Sequence, residues 1–230
     1  MLSGCNSSQE TQTKTTADHV ELEQMVKSSG LIEKTTTVDE FKIVYHEGGN
    51  GEPIILLHGF GGFKEMWTVF AKSLTPAYRV IAIDLPGHGK SSKLMGESYR
   101  IEMQVERLNK FAGTLGLSKF HIAGTSMGGV IAGEYAAAYP EQVLTLALFS
   151  TGGIPSARKS EFWILMQQGE NILIPSTREE YNKMLEYMFV ELPEVSESIR
   201  EVYFKQTMAD VNIKKKISYH VAVTGSPLQL

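Results

Sequence analysis

Phe120-His121-Ile122-Ala123-Gly124-Thr125-Ser126-Met127-Gly128-Gly129 is the stretch on which the reading of this chain turns. Its first five residues form a short apolar run, as expected of a strand buried on both faces. From Met127 through Ala138 the pattern is helical. Between them Gly124-Thr125-Ser126-Met127-Gly128 fits G-x-S-x-G in the strand-turn-helix setting that the motif requires. A strained turn of this kind leaves no room for side chains at 124 and 128, hence the glycines. The helix N-terminus brings partial positive charge and free N–H groups to the serine. Ser126 is the candidate nucleophile. The plainer alternative is a packing turn in which Gly128, Gly129 and Gly133 only let the helix approach the sheet.

An acyl carbon attacked by a serine develops an oxyanion, which needs preorganised N–H donors. Met127 can offer one backbone N–H. The second can come from His58-Gly59-Phe60-Gly61-Gly62, a glycine-flanked loop after the apolar run Pro53-Ile54-Ile55-Leu56-Leu57, with Phe60 the candidate. His58 itself reads as structural, an imidazole bonded to loop carbonyls. Asp84-Leu85-Pro86-Gly87-His88-Gly89-Lys90-Ser91 follows another buried run, Arg79-Val80-Ile81-Ala82-Ile83. It lacks the spacing of a phosphate-binding P-loop. Asp84 and His88 look like a catalytic pair, but shaping the Pro-Gly turn is the role expected of them.

Around these motifs strands and helices alternate. Phe41–Tyr45 reads as a strand before the turn Gly48-Gly49-Asn50-Gly51, residues 67–74 as a helix, and Val143–Phe149 as a fourth buried strand. Ile101, Val105, Leu108, Ala112 and Leu115 keep helical spacing, with Gly116 just past the end. Alternation with short loops predicts a parallel sheet with right-handed crossovers. From Gly152 the pattern becomes helical only. Thr177 and Glu180 form a capping box. Tyr181, Met184, Leu185, Met188 and Phe189 then make one apolar stripe, and Val195, Ile199 and Val202 begin another. Three regions result: a polar tether over 1–25, an α/β core over 26–151 and a helical cap over 152–230.

Composition agrees with a folded α/β chain. Of 230 residues 42% are hydrophobic and 21% charged, which excludes a wholly disordered chain, a collagen-like repeat and a disulfide mini-protein. Lys plus Arg number 22 against 26 for Asp plus Glu, a net −4 with no electrostatic footprint for nucleic acid. No run approaches the length of a bilayer span, and a single cysteine forbids an internal disulfide. That cysteine ends Leu2-Ser3-Gly4-Cys5, which resembles the lipobox of bacterial lipoproteins and precedes the polar residues 6–18. It points to a membrane tether through lipidated Cys5 and to the bacterial cell envelope. A chance match would leave a cytoplasmic protein.

Taken as a set, H-G-F-G-G, D-L-P-G-H-G-K-S and G-T-S-M-G-G in this order resemble the α/β-hydrolase superfamily over about residues 35–215. Within it the chain is similar to bacterial lipoprotein-type lipases and esterases, such as the triacylglycerol lipases of cold-adapted Moraxella. The resemblance implies Ser126 as nucleophile and the Phe60 and Met127 amides as oxyanion hole, with His58, Gly59, Gly124 and Gly128 supporting them. It implies a helical lid over an acyl pocket, a small ester or lipid-like substrate, and no cofactor or metal. Serine at 126 argues against the aspartate nucleophile of dehalogenases and epoxide hydrolases.

The superfamily orders its triad as serine, acid, histidine. Here the only histidine after Ser126 is His220, preceded by Asp210, both in the cap and without a strand-loop context. Two βα units, roughly 60 residues, are expected beyond what this sequence holds. Val143–Phe149 would otherwise be an exposed apolar edge. The expectation is a fragment of a serine ester hydrolase, itself inactive. The alternatives are a truncated relative that binds an apolar ligand, and a C–C bond hydrolase or acyltransferase of the same fold.

Overall fold

The structure, a computed structural model, describes residues 19–154, 158 and 161–224. Cys5 with its lipobox-like neighbours, and most of the tether, lie outside the described residues. Six strands form one sheet: β1 (Leu31–Val38), β2 (Phe41–Gly48), β3 (Glu52–Leu57), β4 (Tyr78–Ile83), β5 (Phe120–Thr125) and β6 (Val143–Phe149). Their order is β1-β2-β4-β3-β5-β6. The last four are mutually parallel, while β1–β2 and β2–β4 pair antiparallel. The sheet is therefore mostly parallel, as the sequence predicts, with an antiparallel edge.

Strand periodicity sorts the apolar runs onto two faces. Ile55, Leu57, Ile81, Ile83 and Ile122 pack with α3 (Ile101–Thr114) and α4 (Met127–Ala138) in one core. The alternate residues Leu56, Val80, Ala82 and Ala123 pack with Val26 of α1 (residues 19–28) and Ala71 of α2 (Thr68–Leu74) in a second. Helices cover both faces, which is why the parallel strands read as unbroken apolar runs. Each such side chain fully buried contributes about 1.5–3 kcal/mol.

Two elements depart from the sequence reading. Ordered structure begins inside the stretch assigned to the tether, because residues 19–28 are helical and Leu22 and Val26 are buried. Strand β1, Leu-Ile-Glu-Lys-Thr-Thr-Thr-Val, also escaped notice. As an edge strand it buries only Leu31 and Val38 at its ends and shows no alternation.

The all-helical tail is observed: α5 (Glu161–Gln167), α6 (Arg178–Met188), α7 (Glu197–Met208) and α8 (Val211–Thr224). The capping box is real, with Thr177 Oγ1 accepting from Glu180 N–H at 3.1 Å. On the predicted stripe Tyr181 and Met184 are buried, whereas Met188 and Phe189 are exposed. Ile199 and Val202 of α7 pack against Leu22 of α1. Ile213 and Ile217 of α8 join the main core beside Tyr99. At the sheet's far edge β6 is half-exposed, and Phe149 lies against Trp67 and Phe70 with ring centroids 6.2 and 6.0 Å away.

Candidate active site

Strand order places the site. From β3 the chain goes to β4 on one side, then crosses to β5 on the other, so the connections diverge around β3. A crevice opens outside the carboxyl ends of the strands at such a switch point. Leu57 and Gly124 are register partners in β3 and β5. The loop starting at His58 and the turn containing Ser126 thus leave the sheet side by side.

Ser126 sits between β5 and α4 at φ 52° and ψ −119°, a region that residues with a side chain seldom adopt. Backbone strain of this kind costs about 1–3 kcal/mol and persists only when the surroundings hold it. Here Ser126 N–H donates to Phe149 O at 3.1 Å, and its carbonyl accepts from Gly129 and Val130 at 3.0 and 3.1 Å. A Cβ on Gly124 would lie 2.1 Å from Gly128 O, and one on Gly128 would lie 2.4 Å from the carbonyl oxygens of Leu57 and His58. The two motif glycines are what let α4 close onto the ends of β3 and β5.

Gly59 passes directly beside the serine: its Cβ would stand 3.1 Å from Ser126 Cβ and 3.7 Å from Oγ. Ser126 is solvent-exposed, and its hydroxyl makes no hydrogen bond among the described residues. Met127 opens α4, so its N–H lies outside the helix ladder. Neither it nor the Phe60 N–H has a hydrogen-bond partner among the described residues. Ser126 thus offers an exposed hydroxyl, with the uncommitted Met127 N–H next to it in the chain and the uncommitted Phe60 N–H one residue beyond the adjoining Gly59.

His58 is fully buried, donating through Nδ1–H to Gly59 O at 2.7 Å and accepting from Leu85 N–H on Nε2 at 3.1 Å. Both nitrogens are committed, and burial holds its pKa below the usual imidazole range. His88 is buried against it, with ring centroids 5.0 Å apart, and against Phe60 at 6.1 Å. Burial, and then the neighbouring His58, hold His88 well below its ordinary pKa. Both roles are those of loop architecture, and so is that of Asp84, whose carboxylate accepts the Lys64 and Lys90 N–H groups at 2.7 and 2.8 Å.

The remaining histidines are elsewhere. His46 is buried in β2, and His121 contacts Thr145 and Glu52. His220 Nδ1 accepts from Tyr99 N–H, while Asp210 pairs with Lys93, so the late pair in the sequence is not brought together. None of the chain's six histidines hydrogen-bonds Ser126.

Sequence reading missed a buried ion cluster. Lys64 Nζ lies 2.8 Å from Glu65, 3.0 Å from Asp84 and 3.2 Å from Glu33. Burial opposes the charge on Lys64, but Asp84 and Glu65 hold its pKa above the ordinary value. Glu33, His46 and Glu65 bring ligand-type atoms within 4.8 Å of one another, as at a metal site. The Lys64 ammonium already sits among those oxygens. The available signal was a Lys-Glu pair within the otherwise apolar Phe63–Trp67 segment. An open cavity of about 420 Å³ between α1, α2 and the start of α7 contains no motif residue and lies away from this chemistry.

A doubly wound α/β sheet with a strained serine elbow at its switch point defines the class of protein. Residues 52–181 match the alpha/beta hydrolase fold family, and the chain belongs to it. It is 36% identical over 194 residues to Lipase 1 of Psychrobacter immobilis, covering 83% of this chain and 61% of that protein. To Lipase 3 of Moraxella sp. (strain TA144) it is 33% identical over 217 residues, covering 93% and 69%. A crystal structure of a membrane phospholipase A, described as a bacterial virulence factor, superposes with a TM-score of 0.87 at 38% identity. It covers 90% of this chain and 68% of that one. The chain thus spans roughly three-fifths to two-thirds of these relatives.

Proposed function

We propose that this chain carries the nucleophile and oxyanion hole of a serine carboxylic-ester hydrolase acting on a lipid-like ester. The observation that carries it is Ser126 at φ 52°, exposed, followed by the uncommitted Met127 N–H and packed beside Gly59, which precedes the uncommitted Phe60 N–H. Similarity to Lipase 1 and Lipase 3 supports the ester class. Ser126 Oγ attacks the acyl carbon, and the two N–H groups hold the oxyanion. The alcohol oxygen leaves with a proton, and water then hydrolyses the acyl-serine. Turnover needs a base for the serine proton, and removing the triad in such enzymes costs on the order of 10⁶. None of the six histidines hydrogen-bonds Ser126, and this reading assigns Ser126 and two amides.

The cap over 152–230 is read as the lid. Tyr203 of α7 packs on Phe63 after β3 at 5.0 Å, and Ile217 of α8 packs beside Tyr99. We further read Cys5 as a lipid anchor at the cell envelope. Supporting this are the sequence Leu2–Cys5 and the bacterial relatives, and no helix among the described residues is long and apolar enough to cross a membrane.

The test is covalent labelling with an alkyl phosphonofluoridate, with imidazole added as an external base. Serine oxygen bonds to phosphorus, fluoride leaves and imidazole takes the proton. One adduct is expected, mapped to Ser126, formed faster as imidazole rises and absent in Ser126→Ala. Labelling that survives Ser126→Ala overturns the assignment. A soluble, cooperatively folded chain that binds fatty acid and never labels would favour the apolar-ligand reading.

A further inference from the structure

We infer that the buried Asp84–Lys64 pair is a positioning device for the oxyanion loop, pinning residues 58–63 so that the Phe60 N–H faces Ser126. This rests on the reading above, in which Phe60 supplies an oxyanion donor.

The loop has little of its own to fix it. Inside it are the Gly62 N–H to Gly59 O bond at 3.0 Å and the His58 ring on Gly59 O. Its two ends are tied to one neighbour, the segment after β4. At the entry, Leu85 N–H donates to His58 Nε2 at 3.1 Å. At the exit, Lys64 N–H donates to Asp84 Oδ1 at 2.7 Å. Asp84 follows Ile83, the register partner of Leu57, so the carboxylate stands beside the loop it holds.

The second carboxylate oxygen takes Lys90 N–H at 2.8 Å and Lys64 Nζ at 3.0 Å. One fully buried side chain therefore sets both loops relative to each other. Gly89 wraps it so closely that a Cβ there would lie 2.2 Å from the carboxyl group. Charge-assisted bonds are short and directional. Lys64 extends the frame to Glu65 on the same turn and to Glu33 on β1, which also holds Lys90 Nζ at 2.7 Å.

Stability alone is a poor reason for this cluster. Replacing a buried ion pair by neutral groups of similar volume is often neutral or stabilising, because desolvation offsets the attraction. What a neutral pair gives up is fixed geometry. The device sits at the end of the loop whose Phe60 amide the proposed chemistry uses.

The experiment uses the Asp84→Asn/Lys64→Met double variant, which removes both charges and keeps the volume. Ser126 labelling is timed with a phosphonofluoridate and with its P=S analogue, both with imidazole. A sulfur atom fits an oxyanion hole poorly, so the ratio of the two rates reports the hole and not serine access. The expected result is a fall of tenfold or more in the oxygen-to-sulfur ratio relative to wild type. An unchanged ratio, with both rates intact or reduced together, overturns the proposal. Gly89→Ala provides a second route, displacing the carboxylate without removing a charge, and the same fall is expected if the double variant does not fold. No Ser126 adduct in the wild-type chain would overturn the nucleophile assignment itself, a failure distinct from an unchanged ratio.

Discussion

Replacing Gly128 by alanine places a Cβ 2.4 Å from the carbonyl oxygens of both Leu57 and His58. Ordinary carbon-oxygen contact begins at about 3.3 Å. Helix α4 and the end of β3 must therefore part by roughly 0.9 Å, and both obstacles are backbone that cannot swing aside. Overpacking in a tight core costs about 1–3 kcal/mol, and two backbone contacts put this case at the upper end. The gain of about 1 kcal/mol for alanine over glycine within a helix offsets part of it. The net expectation is a loss of about 2 kcal/mol, or a midpoint lowered by about 4–8 °C for a chain of this size. Gly113 in α3 is the matched control, because a Cβ there meets nothing within 4 Å. Gly113→Ala should stabilise by up to about 1 kcal/mol. Urea titration of wild type and both variants reads the pair. Equal effects of the two substitutions, or a Gly128→Ala chain as stable as wild type, would refute the packing argument for the motif glycine.

Three further expectations follow from other parts of the structure. Ser126→Gly relieves the positive-φ strain and should raise the thermal midpoint, by an amount equivalent to about 1 kcal/mol, while abolishing labelling. Thr177→Ala removes the α6 cap and should cost about 1 kcal/mol, seen as faster amide exchange in the first turn of that helix. Burial holds His46 down to about 4, and His58 and His88 are also held below 6.5. The unfolded chain then binds more protons than the native one below about pH 6.5, so stability should fall as pH drops through that window toward 4. A urea midpoint that does not change between pH 7 and pH 4.5 would contradict that sign.

The parts of this fold legible in sequence were those whose environment is uniform. Strands β3, β4 and β5 are buried on both faces and stood out as apolar runs, and the serine turn announced itself through glycines that sterics demand. Strand β1 was silent because edge position leaves Glu33, Lys34 and Thr35 in solvent, so neither alternation nor an apolar run marks it. Helix α1 was hidden by length: its Leu22, Met25 and Val26 make a stripe of barely two turns against a polar background. The Asp84–Lys64–Glu33 cluster joins residues as far apart as 33 and 84, and only the sheet order brings them together. His58 could be set aside as a base from its loop alone, and the structure gives the reason in the Gly59 and Leu85 bonds that occupy both its nitrogens.

The most direct test of the central claim is the crystal structure of the chain carrying a phosphonate on Ser126. The account predicts a phosphoryl oxygen about 2.7–3.1 Å from both the Phe60 and Met127 N–H nitrogens, with the loop and elbow unmoved. A phosphoryl oxygen turned to solvent, or held by side chains instead of these two amides, would contradict it.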